Sequence, residues 1–397
     1  MRVRPSNGAA WRVVVVGPDE SHVGGMSSVA QQTLRIDLGE RFTRTYLPFT
    51  HSNRERESLA LRLLRHVVQS VRVWRAGHGG SNVIVHLHTC SGFTFYRSLA
   101  DVLLAKAAGG RTILHVHGAA FDRFYDESGR IGRWMIRSGL ASADRVVALS
   151  AGWRRKLLAM ASGANVVVIE NAVAEPSVGN RAEASGVCRF LVLSRMDAWK
   201  GIDDVLDACL ELRRRRARFH LTLAGPPGTA GGAAELTEKI QARNLAGFVE
   251  YVGTVVGKEK EVLLRRADVF VLPSHHEGMP ISLLEALSHG LAVVATTVGA
   301  VPEVVDPPRE GLLVPPHEPA RLADAMGKLL ADEALRRAMG TRARGAAVTR
   351  FSERRLRQDL TTLYDDLTRS SEAEMASTEG SEPNWRVGGP PVFGVQT

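Results

Sequence analysis

Short β-rich runs, each followed by a helix-like segment, recur ten times along this chain and constrain its fold more than any other feature. Runs such as Val13 to Val16 and Val269 to Leu272 carry no polar alternation. They fit strands buried on both faces, as in parallel sheets covered by helices. Candidate strands are Arg12–Gly17, Asn82–His88, Arg111–His117, Arg145–Ser150 and Asn165–Glu170 in the first half, and Arg189–Ser194, His220–Ala224, Val249–Gly253, Asp268–Leu272 and Ala292–Thr296 in the second. This alternation predicts an α/β chain with two doubly wound parallel sheets. The stretch Ala172 to Gly186, rich in Ala, Glu, Gly and Ser with Pro176, breaks the pattern and reads as a linker. At 397 residues the chain is long enough for two domains with separate cores. Expected boundaries are 1–175, 187–350, a helical run at 351–369, and a Ser-, Glu-, Gly- and Pro-rich tail at 370–397 read as disordered.

Charge is unevenly divided: residues 1–180 hold 23 Lys and Arg against 13 Asp and Glu, leaving 28 against 29 for the rest. In the basic half, Arg62, Arg65, Gln69 and Arg72 recur at helical spacing opposite Leu63, Leu64, Val67, Val68, Val71 and Trp74. This is an amphipathic basic helix whose apolar stripe is expected to pack on its own sheet, with an Arg face able to touch anionic lipid. No recognisable nucleic-acid motif accompanies the charge, so nucleic acid is not an expected partner. The N-terminal Arg2 and Arg4 precede only a strand-length apolar run, and nothing approaches the ~20 apolar residues of a spanning helix. Three cysteines (Cys90, Cys188, Cys209) stand in no metal-ligand spacing and fit a reducing cytoplasm.

The segment Glu277-Gly278-Met279-Pro280-Ile281-Ser282-Leu283-Leu284-Glu285 follows a buried-strand pattern and opens a helix, with Pro280 expected at its first position. Amides of Ile281, Ser282 and Leu283 are then unpaired at the positive end of the helix dipole, which suits a phosphate or diphosphate. Carboxylates beside an anion need neutral donors, and sugar or ribose hydroxyls supply them. Arg195, Lys200 and Gly201 at another strand-to-helix turn bring positive charge to the same sheet edge. Gly24 and Gly25 open a helix where backbone can approach a ligand. The loop Gly225 to Gly232 lacks the Gly-Lys-Ser/Thr ending of a phosphate loop. His86, His88, His115 and His117 lie near strand ends, but no companion spacing supports a metal site. There is no Asp-x-Asp either.

In order along residues 11–350, Gly24-Gly25-Met26, His117-Gly118, Val168-Ile169-Glu170-Asn171, Ser194-Arg195 with Lys200-Gly201, Glu277 to Glu285, Val301-Pro302-Glu303-Val304, and Glu310-Gly311-Leu312-Leu313-Val314-Pro315 resemble glycosyltransferase family 4. These are retaining enzymes of the GT-B fold. Two departures stand out: Asn171-Ala172 where the family has Asn-Gly, and Gly278-Met279 where it has Phe-Gly. The resemblance implies a donor cleft between two Rossmann-like domains, an acceptor-binding first domain, a nucleotide-sugar-binding second, and a last helix crossing back. It implies metal-independent, retaining hexosyl transfer without a cofactor. His117 and Glu277 would hold the donor sugar, Arg195 and Lys200 the diphosphate, and Glu285 the ribose diol, with Gly24, Gly25, Gly278, Met279, Ile281 and Ser282 around the donor. The expected acceptor is a saccharide or lipid-linked saccharide in bacterial exopolysaccharide or cell-envelope assembly, at the inner face of the cytoplasmic membrane. A soluble acceptor, an epimerase on the same fold and a non-catalytic nucleotide-sugar-binding module stay open.

Overall fold

The computed structural model describes residues 10–19, 24–49, 58–78, 82–176, 186–229 and 231–379. Two six-stranded, all-parallel sheets form its framework. The first contains β1 (Trp11–Pro18), β2 (Phe42–Phe49), β3 (Val83–Thr89), β4 (Arg111–Val116), β5 (Arg145–Ala148) and β6 (Val166–Val168), in the order β2-β1-β3-β4-β5-β6. The second contains β7 (Cys188–Leu193), β8 (Phe219–Ala224), β9 (Val249–Tyr251), β10 (Val269–Leu272), β11 (Ala292–Thr296) and β12 (Gly311–Val314), in the order β12-β11-β10-β7-β8-β9. All ten expected strands are present within a few residues. β2 and β12, which periodicity does not flag, are both edge strands; β2 alternates with polar residues and contains Pro48, as an edge tolerates.

Topology places the ligand edge. In an open parallel sheet the crevice forms outside the carboxyl ends of the strands where the strand order reverses. In the second sheet that point lies between β7 and β10, so the turns carrying Arg195 and Glu277 flank one crevice. In the first it lies between β1 and β3.

Helix Glu353–Glu379 packs Leu356, Leu360, Leu363, Tyr364 and Leu367 against Trp11, Val13, Ile84 and Ile113 of the first sheet. This helix continues to Glu379, ten residues beyond the expected end, because residues 370–379 are rich in Ala, Glu and Met, good helix formers. Residues 380–397 lie outside the described residues, as do Arg2, Arg4 and most of the expected linker, 177–185. The linker's start is not free chain: Ala172 and Val173 are buried, and the Val173 amide donates to the Phe351 carbonyl (2.8 Å).

Helix Leu59–Gly77 corrects a sequence expectation. Its inward face is Gln69, Val73 and Gly77, whereas Leu64, Val67, Val68, Val71 and Trp74 stay exposed, Val67 at 60%. Gln69 therefore belongs to the packed face and not to the Arg face. Gly77 explains the rotation: a Cβ there would sit 3.1 Å from Ala108 Cβ and 3.3 Å from the Ala105 carbonyl, so this face comes closest to the neighbouring helix. The side chains of Arg62 and Leu63 lie outside the described residues.

Candidate functional site

Both sheets turn their carboxyl edges toward one region. From the first, His117 follows β4, donating its amide to the Thr89 carbonyl (2.8 Å). From the second, the Glu277–Pro280 loop approaches so closely that a Cβ on Gly278 would stand 3.1 Å from the His117 carbonyl. Gly25, the first residue of helix Gly25–Arg35, lies opposite Ile281, with Ile281 Cγ1 4.0 Å from the place of a Gly25 Cβ. Gly24 caps that helix in extended backbone. Sequence elements more than 150 residues apart thus meet across one cleft.

Three further contacts fasten the two sides together. The Glu303 carboxylate accepts from Ser150 Oγ (2.8 Å) and the Gly152 amide (2.9 Å) at the start of helix Ala151–Met160. Trp153 Nε1 donates to the Gly278 carbonyl (3.3 Å). Asn171 Nδ2 donates to the Met279 carbonyl (2.8 Å), and its amide faces Met279 Sδ (3.3 Å). Met279 is buried in this junction, so its thioether packs against the first domain. Ser150, Trp153 and the role of Glu303 escaped sequence reading, since nothing local marks a cross-domain partner.

The charged residues are paired. Glu277, 5% exposed, accepts from Lys200 Nζ (2.6 Å) and Ser274 Oγ (2.7 Å), both on Oε1. Two glycines make this approach feasible. Gly201 has φ +64°, and a Cβ there would lie 2.0 Å from the Pro273 carbonyl. Gly299 has φ +54°, and its Cβ would lie 1.9 Å from the Glu277 carbonyl, so only glycine lets either backbone pass. Arg195 is exposed, with Nε 3.3 Å from Asp197 Oδ2 and a guanidinium nitrogen 2.8 Å from the Gly228 carbonyl. The rejected phosphate loop therefore orients Arg195. Glu285 pairs with Lys260 Nζ (2.5 Å), a cation on helix Gly257–Arg266 that sequence reading did not single out.

The helix carrying Glu285 spans Ile281–Ser288 and is capped by Pro280, one residue earlier than Pro280's expected place inside it. The Pro280 carbonyl consequently accepts from the Leu283 amide (3.2 Å), which removes Leu283 from the expected anion donors. The amides of Ile281 and Ser282 keep no hydrogen-bond partner among the described residues.

Behind His117 stands a row of imidazoles. His88 Nδ1 meets His117 Nε2 (2.8 Å), His86 Nε2 meets His115 Nδ1 (3.1 Å), and His86 Nδ1 meets Tyr364 Oη (2.8 Å). Burial, the largest cause in each case, lowers all four pKa values, those of His86 and His117 to about 3. All four are neutral at pH 7. Ring nitrogens of His86, His88 and His115 lie within 4.8 Å of one another, as do donor atoms of Asp204, His275 and His317, a proximity that spacing along the chain does not display.

Comparison with known proteins agrees with this architecture. Residues 187–332 match the family model "Glycosyl transferases group 1", and residues 6–172 match "Glycosyl transferase 4-like domain". Alpha-maltose-1-phosphate synthase of Mycolicibacterium smegmatis is 30% identical over 312 residues, 71% of this chain and 78% of that protein. The amylovoran biosynthesis glycosyltransferase AmsK of Erwinia amylovora is 29% identical over 203 residues, 49% of each chain. The chain spans about half the length of the first curated relatives it matches. Anabaena HepE, solved in complex with UDP-glucose, shares the fold with a TM-score of 0.70 at 15% identity, over 89% of this chain and 99% of that one. With matched models over both sheets and a relative aligned along most of its length, the chain belongs to glycosyltransferase family 4, the glycosyl transferases group 1, on a GT-B fold.

Proposed function

We propose that this protein is a retaining glycosyltransferase that moves a sugar from a nucleoside-diphosphate sugar to a hydroxyl of a lipid-linked saccharide or glycolipid, at the cytoplasmic face of a bacterial membrane. One observation carries the reading: the Lys200–Glu277 pair, the open amides of Ile281 and Ser282, and Gly25 with His117 all converge on one cleft. An acceptor hydroxyl attacks the anomeric carbon on the face the diphosphate leaves, through a short-lived oxocarbenium-like ion pair. The departing diphosphate takes the proton. Lys200 spends one N–H on Glu277 and has two more for a diphosphate oxygen. Arg195 adds a fork, and the helix N-terminus adds two amides and its dipole. Glu277 Oε2 takes a sugar hydroxyl, and Glu285 the ribose diol. No metal or cofactor enters. The names of relatives lend support, since one is named for amylovoran biosynthesis and a fold neighbour was solved with UDP-glucose.

A thermal-shift screen of nucleoside diphosphates and their sugars tests the donor. At a ligand concentration of about 100 Kd, binding should stabilise the chain by about 2.7 kcal/mol, and Glu285→Ala should lose the response. With the responding donor, the anomeric coupling of the product reports retention. No response to any nucleotide would sink the reading.

For the membrane, the exposed apolar stripe of helix Leu59–Gly77 flanked by Arg65, Arg72 and Arg75 suits an anionic leaflet. No helix among the described residues is long and apolar enough to cross a membrane. Co-sedimentation with anionic vesicles should be strong at low salt and fall at 1 M, where the screening length shrinks to about 3 Å. Equal binding to neutral vesicles would count against it.

A further inference from the structure

Helices Leu59–Gly77 and Phe93–Ala107 run side by side in the same direction: the His66 ring meets the Phe93 ring tilted, with centroids 4.7 Å apart, and Ser70 Oγ donates to Asp101 (2.7 Å). Between them lies a groove with a volume of about 560 Å³, walled by Val67, Val71 and Trp74 on one side and Phe93, Ala100 and Leu104 on the other. From Phe93 to Leu104 it extends about 16 Å, at 1.5 Å per helical residue.

The two ends of the groove differ. Its Phe93 end starts just after β3, beside Ser91, whose amide lies 3.2 Å from the place of a Gly118 Cβ. That end opens at the sheet edge carrying His117, while the Trp74 and Leu104 end points away from the cleft. At the cleft-side end Arg97 is 7% exposed, lies 3.5 Å over the Phe49 ring and 3.8 Å from Asp101, and leaves Nε without a hydrogen-bond partner. Arg65 and Arg97 both add positive potential at His66, whose pKa falls first through burial and then through these two cations. Asp101 offsets one of the charges. The result is an apolar trough with a buried, under-satisfied cation near the cleft.

We propose that this groove holds the hydrocarbon chain of the acceptor lipid, with the lipid's phosphate at the Arg97 end and the chain running toward Trp74. The inference rests on the lipid-acceptor reading above and adds to it a chain-binding subsite within the protein. A chain seated here puts the anionic headgroup at the His117 edge of the first domain, where an attached hydroxyl can reach the donor. Burial of each methylene adds to affinity, and a phosphate beside Arg97 completes a charge-assisted hydrogen bond.

Calorimetry with dodecyl phosphate below its micelle concentration, on the full chain, tests the proposal. Saturable one-to-one binding is expected, with inorganic phosphate at least about 100-fold weaker. Ala100→Trp, which fills an exposed wall of the groove, should weaken dodecyl phosphate by about tenfold or more. ω-Bromododecyl phosphate should quench tryptophan fluorescence, and Trp74→Phe should remove most of that quenching. Unaltered affinity in Ala100→Trp, or quenching unaffected by Trp74→Phe, overturns the proposal. A tenfold gain in affinity on Phe393→Ser would instead assign the groove to this chain's own C-terminal residues and overturn it too. Nucleotide stabilisation measured on the same samples separates the outcomes. If it persists while dodecyl phosphate fails to bind, the subsite alone is wrong; if it is absent while the lipid binds, the donor reading is wrong.

Discussion

Arg195→Ala should lower kcat by about 10²-fold or more while leaving thermal stability within about 0.5 kcal/mol of wild type. The two halves of this expectation have separate causes. Arg195 is exposed and, among the described residues, is held by Asp197 and the Gly228 carbonyl, so its removal opens no cavity and strands no buried charge. In the proposed reaction, negative charge grows on the diphosphate as the glycosidic bond lengthens, and a preorganised cation there acts on the transition state more than on the bound donor. KM for the donor should therefore change less than kcat. Lys200→Ala should show the opposite coupling, with turnover and stability falling together. Its loss leaves Glu277 almost wholly buried with Ser274 as its remaining donor. Removing one partner of a fully buried pair costs about 3–5 kcal/mol, and the partial exposure of Lys200 brings the expectation down to about 1–3 kcal/mol. Initial rates with the stabilising donor, beside melting curves, distinguish the two variants. Near wild-type turnover in Arg195→Ala would falsify its assignment to the diphosphate.

Acidification from pH 7 to pH 5 should destabilise the fold steeply, through the imidazole row. His86 and His117 have native pKa values of about 3, and those of His88 and His115 also lie well below 6.5. An unfolded chain protonates these rings near pH 6.5, so between that pH and the native values the unfolded state binds more protons. Stability is thus fully present above pH 6.5 and is lost as pH falls toward 3. Each such histidine contributes a slope of about 1.4 kcal/mol per pH unit. Two of them at pH 5 amount to about 4 kcal/mol, a large share of a typical 5–15 kcal/mol stability. Denaturant midpoints at pH 7, 6 and 5 measure the slope. His115→Leu should flatten it by about one proton, even if its own midpoint at pH 7 is lower. A midpoint independent of pH over this range would mean that the row does not stay neutral in the folded protein.

Much of the fold was legible because parallel strands buried on both faces need apolar runs, and Val13 to Val16 in β1, Val269–Leu272 in β10 and Ala292 to Ala295 in β11 supply them without interruption. The edge strand β2 was not, since its polar alternation and Pro48 hide it, and β12 was not because its run is only four residues long and opens on Gly311. Helical periodicity identified helix Leu59–Gly77 but misjudged its orientation. A stripe of apolar residues tells that a helix forms; which face turns inward depends on the neighbour's shape, here on Gly77 meeting Ala105 and Ala108. At the site, the sequence singled out Glu277, Arg195 and Lys200 through their places after strands, yet treated Lys200 as a free cation, whereas it binds Glu277 directly.

The sequence by itself determined the strand and helix alternation, the two sheets and the strand-to-helix turns that carry the charged residues. Those features follow from local patterns of burial and backbone preference that operate within about a dozen residues. Tertiary structure alone decided the pairing of Lys200 with Glu277 and of Lys260 with Glu285, the grip of Glu303 on Ser150 and Gly152, the stacking of four histidines beside Tyr364, and the groove left open beside Trp74. Each joins side chains from separate elements across a packed interface. Hydrogen bonds and ion pairs of that kind depend on distances of a few ångströms, which the sheet order and helix rotation set and no local pattern encodes.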